Sequence, residues 1–277
     1  MLILLLLLML CLLLRAQVTM AAASAACRLF VTAVLPGLFP YMVLSQMLIS
    51  RVKRLSPALV MGLGWGGGSP TGAKLAVMGD FPPQVQRRLM LTCATMSPMF
   101  LLGTVGRWLD SPLAGAVCLG SSLVSGWVTG WMASRRNPLS HPQADASSPQ
   151  REAFGCLSFG AAVESAGRTM LLVCGTMVML RVFAALAAEA LPDVLVLPVT
   201  TVLEVTTGAA AIAQLPLPLP FRTALIAGAT GFGGMAILMQ NRAVSPGTMS
   251  LGRQIFWQAV HGGMAFLLAL GIMHLIC

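Results

Sequence analysis

The 277-residue chain is 57% hydrophobic and only 9% charged, against roughly 25% charged residues in an average globular protein, and its mean hydropathy is +0.86. A soluble fold is excluded, because most of the chain must face lipid or other apolar helices. The formal net charge of +9 comes from 17 Lys and Arg against 8 Asp and Glu. It does not point to nucleic acid: the basic residues lie mostly between apolar stretches, where they orient helices and meet anionic headgroups, and no basic helix face is interleaved with aromatics.

The opening stretch, Met1 to Leu14, lacks the basic start and small-residue cleavage site of a signal peptide. It reads as the first part of a retained, short or tilted membrane segment spanning residues 1–27. Apolar blocks follow at about Arg28 to Ser50, Pro57 to Gly79, Arg88 to Leu109 and Pro112 to Ala133. Ser134 to Glu152, rich in Pro, Ser, Asn, His and Arg, is the one long hydrophilic stretch. After it come Leu157 to Leu186, Val194 to Gln214, Arg222 to Gln240 and Arg253 to Cys277. Several blocks approach or exceed the about 20 residues that a helix needs to cross hydrocarbon. The expected organisation is a first repeat over 28–133, a polar cytoplasmic linker over 134–152 and a second repeat over 153–277.

The second block of each half is predicted to be broken. Residues 57–80 hold Gly62, Gly64, Gly66, Gly67, Gly68, Gly72 and Gly79 with Pro57 and Pro70, a density that a continuous helix tolerates poorly. Its counterpart is interrupted by Pro198 and by Glu204, Thr206, Thr207 and Gly208. Irregular backbone at membrane depth survives only where protein or a water-filled cavity covers it. Paired interruptions in two halves point to a transporter's binding site.

Charge placement bears on how those blocks thread the membrane. If the first broken block is a re-entrant hairpin, its flanks Arg51, Lys53, Arg54 and Arg87, Arg88 share the cytoplasmic side. Arg135, Arg136, Arg151, Arg242 and Arg253 then fall inside as well, with Arg15, Arg28, Arg107, Arg222 and the acidic turn of Glu189 and Asp193 outside. The fold expected is an all-α polytopic membrane protein of two inverted-topology repeats, each with a re-entrant broken hairpin entering from its own side.

Embedded polar residues are costly unless paired or hydrated, so each is a candidate for function. Lys74 follows Gly68-Ser69-Pro70-Thr71-Gly72-Ala73, where a helix restarts and offers free N–H groups to an anion. The competing reading is a close-packed glycine turn with Lys74 snorkelling to the surface. Glu204, beside Thr206, Thr207 and Gly208, suits a substrate or coupling-ion ligand, or a carboxylate holding backbone N–H groups freed by the break. Glu164 and Arg168 are spaced for an intrahelical ion pair, and Ser165 beside them fits either a cavity wall or a helix crossing. Ser97 with Pro98, and Gly231, Gly233 and Gly234 in the run ending at Gln240, allow close approach of the neighbouring hairpin or direct ligand contact. The seven cysteines form no CxxC pair and the three histidines have no close ligand spacing, so neither a metal site nor a disulfide framework is expected.

In these motifs the chain resembles the integral membrane proteins of bacterial spore formation that carry the gate domain of sodium-coupled nucleoside transporters. The likeness runs from about Arg28 to His261. It rests on Leu35-Pro36-Gly37-Leu38-Phe39-Pro40, Gly68 to Lys74, Ser97-Pro98-Met99-Phe100-Leu101-Leu102-Gly103, Glu164-Ser165, Leu203 to Gly208, and Gly231 to Gly234 leading to Gln240. The resemblance implies a permease-like protein of the mother cell, in the outer forespore membrane, associated with moving dipicolinate. Carried over as substrate-binding positions are Ser69, Thr71, Gly72 and Lys74, and Glu204, Thr206, Thr207 and Gly208. The family usually has an aromatic at Ser69, an Asn at Thr207 and a His near Leu238, departures that bear on side-chain contacts with substrate more than on the fold.

The function expected is thus a transporter or facilitator of a small anionic metabolite, with Na⁺ or H⁺ as coupling ion and no cofactor. Two rivals stand beside it: a nucleoside transporter on the same scaffold, and a non-transporting scaffold of a spore-assembly complex. An enzyme is not expected, since no nucleophile-base-orienter set or metal motif is present. Expected partners are lipid, the small substrate, and a second copy or spore-membrane proteins, with no nucleic acid.

Overall fold

A computed structural model describes residues 2–52, 55–79, 81–135 and 157–276. Lys53, Arg54, Arg136, Arg151, Cys156, Cys277 and nearly all of the hydrophilic linker lie outside the described residues. Every regular element among the described residues is a helix, and five are long and apolar enough to cross a membrane: Ala16–Arg51, Pro112–Arg135, Phe159–Ala188, Leu219–Val244 and Leu251–Ile276. The chain is an all-helical integral membrane protein.

Helix α1, Leu2–Leu14, precedes one long element made of α2, Ala16–Leu29, a π-helical stretch Phe30–Val34, and α3, Leu35–Arg51. The π turn lies just before Pro36, which has no N–H to give the carbonyl one turn back. The long element therefore begins at Ala16 rather than near Arg28, where the apolar block starts. Ala16 to Ala26 is alanine-rich and less apolar, so hydropathy understates a segment that helix propensity favours.

Three more elements complete the first half. Helices α4, Pro57–Gly67, and α5, Thr71–Met78, fold back on each other: a Cβ built on Gly64 would lie 3.2 Å from the Gly72 Cα. Ser56 caps α4, its Oγ accepting from Leu59 N at 3.2 Å, with Pro57 at the first turn. Next come α6, Pro83–Thr92, an unwound stretch Cys93 to Pro98, a π-helical segment Met99–Val105 and the short α7, Gly106–Trp108. Helix α8 is Pro112–Arg135.

The second half repeats this order. Helix α9, Phe159–Ala188, is followed by α10, Asp193–Leu203, and α11, Val205–Ala213, which again fold back: a Cβ on Gly208 would lie 2.6 Å from the Thr201 Cα. Helices α12, Leu219–Phe232, and α13, Gly234–Val244, form one element with a break between them, and α14, Leu251–Ile276, closes the chain.

The third and fourth elements of each half run antiparallel through small-residue crossings. A Cβ on Gly130 would lie 3.0 Å from Arg88 O, and one on Gly115 would lie 2.7 Å from Leu101 O. On the other pair, a Cβ on Gly231 would lie 3.1 Å from the Gly262 Cα. The halves join where His261 Nε2 bonds Ser122 O at 3.0 Å.

Leu55 and Phe81, on either side of α4 and α5, share an apolar cluster with Ile49 and Leu89. Leu197 of α10 and Leu215, just past α11, pack against an apolar cluster that also holds Leu109. Arg87 Nε donates to Thr248 O at 2.8 Å, and Arg15 pairs with Glu189 at 3.2 Å. Arg87, Arg88 and Arg253, which charge placement assigns to one side, line one cleft.

Candidate functional site

Each half brings two interruptions into contact. Gly68 has φ +65°, and a Cβ on it would lie 2.5 Å from Ser97 N and 2.8 Å from Thr95 O. Glycine is therefore required twice over, for backbone conformation and for space. Ser69 N donates to Thr95 O at 2.7 Å, so the unwound stretch between α6 and the π segment receives an N–H from the turn between α4 and α5. Ser97 is buried, and its Oγ accepts from Phe100 N at 3.3 Å. Gly72 packs against Cys93, which leaves no room for a side chain.

Lys74 is committed to the other half. Its Nζ donates to Ser165 O at 3.0 Å, Ser165 Oγ at 2.8 Å and Thr169 Oγ1 at 2.9 Å, using all three ammonium protons on α9. It does not snorkel. Ser165 owes its position to this bridge, whereas Glu164 and Arg168 pair with each other at 2.8 Å on the exposed face of α9.

At the second break Glu204 has extended backbone and is 1% exposed. Its carboxylate accepts from Thr206 N at 2.9 Å and Thr207 N at 2.7 Å, capping α11 with both oxygens. Gly233 and Gly234, both with positive φ, interrupt the neighbouring element at this level, and a Cβ on Gly234 would lie 3.1 Å from Val202 O and 3.3 Å from Val205 N. Arg181 of α9 is within electrostatic reach of Glu204 and makes no direct ion pair with it.

Helix α13 links the two breaks. It starts at Gly234 against the Glu204 break, and two turns later Asn241 donates its Nδ2 to Ser69 Oγ at 3.4 Å. At 1.5 Å per residue that separates the breaks by about 10 Å along α13. Gln240, beside Asn241, donates to Thr176 Oγ1 of α9 at 2.8 Å.

Several side chains that sequence reading passes over belong to this region: Asn241, Thr169, Thr95 and Gln46. Gln46 is fully buried on α3, which packs on α5, and neither its amide oxygen nor its nitrogen has a partner among the described residues. Thr71 Oγ1, Thr95 Oγ1 and Asn241 Oδ1 are likewise buried and unpartnered. The signal available in sequence was a lone glutamine inside an apolar block, and an asparagine next to Gln240. Buried polar atoms without partners are rare enough that a cluster of them calls for water or a ligand.

Among the described residues no three His, Cys, Asp or Glu side chains converge. Comparison with protein-family models, curated proteins and solved structures finds no match to this chain.

Proposed function

We propose that the chain is a secondary transporter or facilitator of a small anionic metabolite, built from two inverted repeats whose fold-back pairs, α4 with α5 and α10 with α11, dip into the membrane from opposite faces. The sporulation-family resemblance makes dipicolinate the substrate of choice and the outer forespore membrane its place. The observation that carries this reading is the repeated crossing of two interrupted elements, one holding Lys74 and the other Glu204, about 10 Å apart along α13. A rigid membrane scaffold has no use for a buried Glu204 and a half-buried Lys74 beside backbone breaks, which are costly to maintain.

In the conformation described, both charges are satisfied internally: Lys74 by α9 and Glu204 by α11. An anion reaches Lys74 by replacing the Ser165 and Thr169 hydroxyls, which frees α5 from α9. Binding and hairpin movement are thereby one event, as alternating access requires. A nucleoside is the second reading, favoured by the neutral unpartnered groups of Gln46, Thr71 and Asn241.

Flux of labelled dipicolinate and labelled uridine into liposomes holding the purified protein tests both, with Na⁺ and pH gradients varied. Dipicolinate flux lost in Lys74→Ala and Glu204→Gln is the expected result. Uridine flux that survives Lys74→Ala and is lost in Asn241→Leu selects the nucleoside. Folded protein that moves neither compound defeats the transport reading.

A further inference from the structure

A second buried polar system lies away from Lys74 and Glu204, between α8 and α14. Gln254, Gln258 and His261 stand on one face of α14, at the spacing of successive helical turns, and Ser121 and Ser122 of α8 lie at the level of His261; all five are 1% exposed or less. Gln254 Nε2, Gln258 Oε1, His261 Nδ1 and both serine hydroxyls have no hydrogen-bond partner among the described residues. His261 Nε2 lies 3.0 Å from the Ser122 carbonyl. A carbonyl only accepts, so Nε2 carries the proton and Nδ1 is a bare acceptor.

The unpartnered atoms are neutral and mixed, with an amide donor, two acceptors, and two hydroxyls able to do either. A metal ion or an anion needs ligands of one kind, whereas water bridges donors and acceptors alike. The outer end of the seam lies beside a cleft. At one end of the molecule Gln84, Arg87, Arg88, Ser134, Arg253 and Trp257 line a small cleft of about 20 Å³. Arg253 and Trp257 directly precede Gln254 and Gln258, and from Arg253 to His261 the helix rises about 12 Å. His261 thus sits near the middle of α14.

The inner end reaches the first break. A Cβ on Gly126 would lie 3.4 Å from the His261 ring and 3.0 Å from Thr92 O, three residues before Thr95, which holds Ser69. No Asp or Glu occurs on α6, α8, α12, α13 or α14. Of their charged groups, Arg135, Arg222, Arg242 and Arg253 stand toward helix ends, as does His274, and Arg87 and Arg88 line the cleft. Apart from the Cys118 thiol of α8, which donates to Thr223 O, His261 is the one titratable group on these elements away from their ends.

We propose that the seam between α8 and α14 holds a file of water molecules that carries protons from the arginine-lined cleft to the imidazole of His261 at mid-membrane. A proton delivered from bulk water binds Nδ1 and converts the imidazole to imidazolium, reversibly. The site stands on burial and hydrogen bonding alone and does not rest on the transport reading.

The test is ring ¹⁵N magnetic resonance of histidine-labelled full-length protein in lipid nanodiscs between about pH 8 and about pH 4, a window that brackets ordinary histidine titration, with His261→Gln to assign the signal. The expected result is a His261 ring that converts between neutral and cationic forms with bulk pH, and a conversion abolished when Gln254→Leu and Gln258→Leu plug the seam. Should the double variant misfold, Gln258→Cys replaces it: a small water-soluble methanethiosulfonate modifies that cysteine, located by peptide mass, and leaves Ala265→Cys untouched. A ring that stays neutral throughout in folded protein, a conversion indifferent to the leucine plugs, or a position 258 thiol no more reactive than one at 265, overturns the proposal. Flux plays no part in these readouts, so their failure leaves the transport reading standing.

Discussion

Replacing Glu204 by Gln separates what the carboxylate does for the fold from what it does for a substrate. Both carboxylate oxygens are used, one by Thr206 N at 2.9 Å and the other by Thr207 N at 2.7 Å, in a site 1% exposed. A glutamine keeps one acceptor and turns its NH₂ toward the second N–H, donor against donor. Losing one charge-assisted bond and leaving a buried N–H unpaired costs about 2–4 kcal/mol. Leucine loses both bonds and costs at least as much, while aspartate, a good cap with a shorter reach, costs about 1 kcal/mol. Equilibrium unfolding in detergent, followed by tryptophan fluorescence, should rank stability as wild type, Asp, Gln, Leu. Glutamine equal to wild type within about 0.5 kcal/mol, well below the typical cost of a lost cap, would refute the capping role and leave Glu204 a ligand only.

Other substitutions probe the remaining contacts. Lys74→Met removes three hydrogen bonds to α9 and should destabilise by about 2–4 kcal/mol; with Thr169→Val in a double-mutant cycle on the same unfolding assay, coupling of about 0.5–3 kcal/mol is expected. Gly68→Ala puts a Cβ 2.5 Å from Ser97 N at φ +65° and should abolish folded yield in size-exclusion chromatography. Gly62→Ala, with nothing within 4 Å of its Cβ position, should stabilise α4 by up to about 1 kcal/mol in the same series. Glu164→Gln with Arg168→Gln breaks an ion pair whose side chains are 65% and 79% exposed, and its unfolding midpoint should move by less than about 0.5 kcal/mol.

How far the fold could be read in advance depended on whether the cause was local. The eight blocks, and the breaks at Gly68 and Glu204, announce themselves through glycine, proline and embedded charge. The interruption at Gly233 and Gly234 was visible as a glycine run, and Ser97-Pro98 as a kink. The kink proved to be an unwound stretch from Cys93, because the turn at Gly68 supplies an N–H to Thr95 that a helix would otherwise have provided. No local pattern contains that exchange. The bridge from Lys74 to Ser165 and Thr169 spans more than 90 residues, and Ser165 looked equally suited to a cavity wall. Asn241 and Gln46 were hidden for a different reason: a single amide barely lowers the hydropathy of the block around it, yet a buried amide needs several partners.

Helix α13 has a mechanical consequence. A helix of about three turns is stiff along its axis, and here one end abuts the carbonyls flanking Glu204 while its side reaches Ser69 in the other fold-back pair. It acts as a connecting rod between two joints. Any displacement at one joint is passed along the rod to the other, so the two breaks are geared together, and a lesion that shortens or breaks the rod would let each move alone.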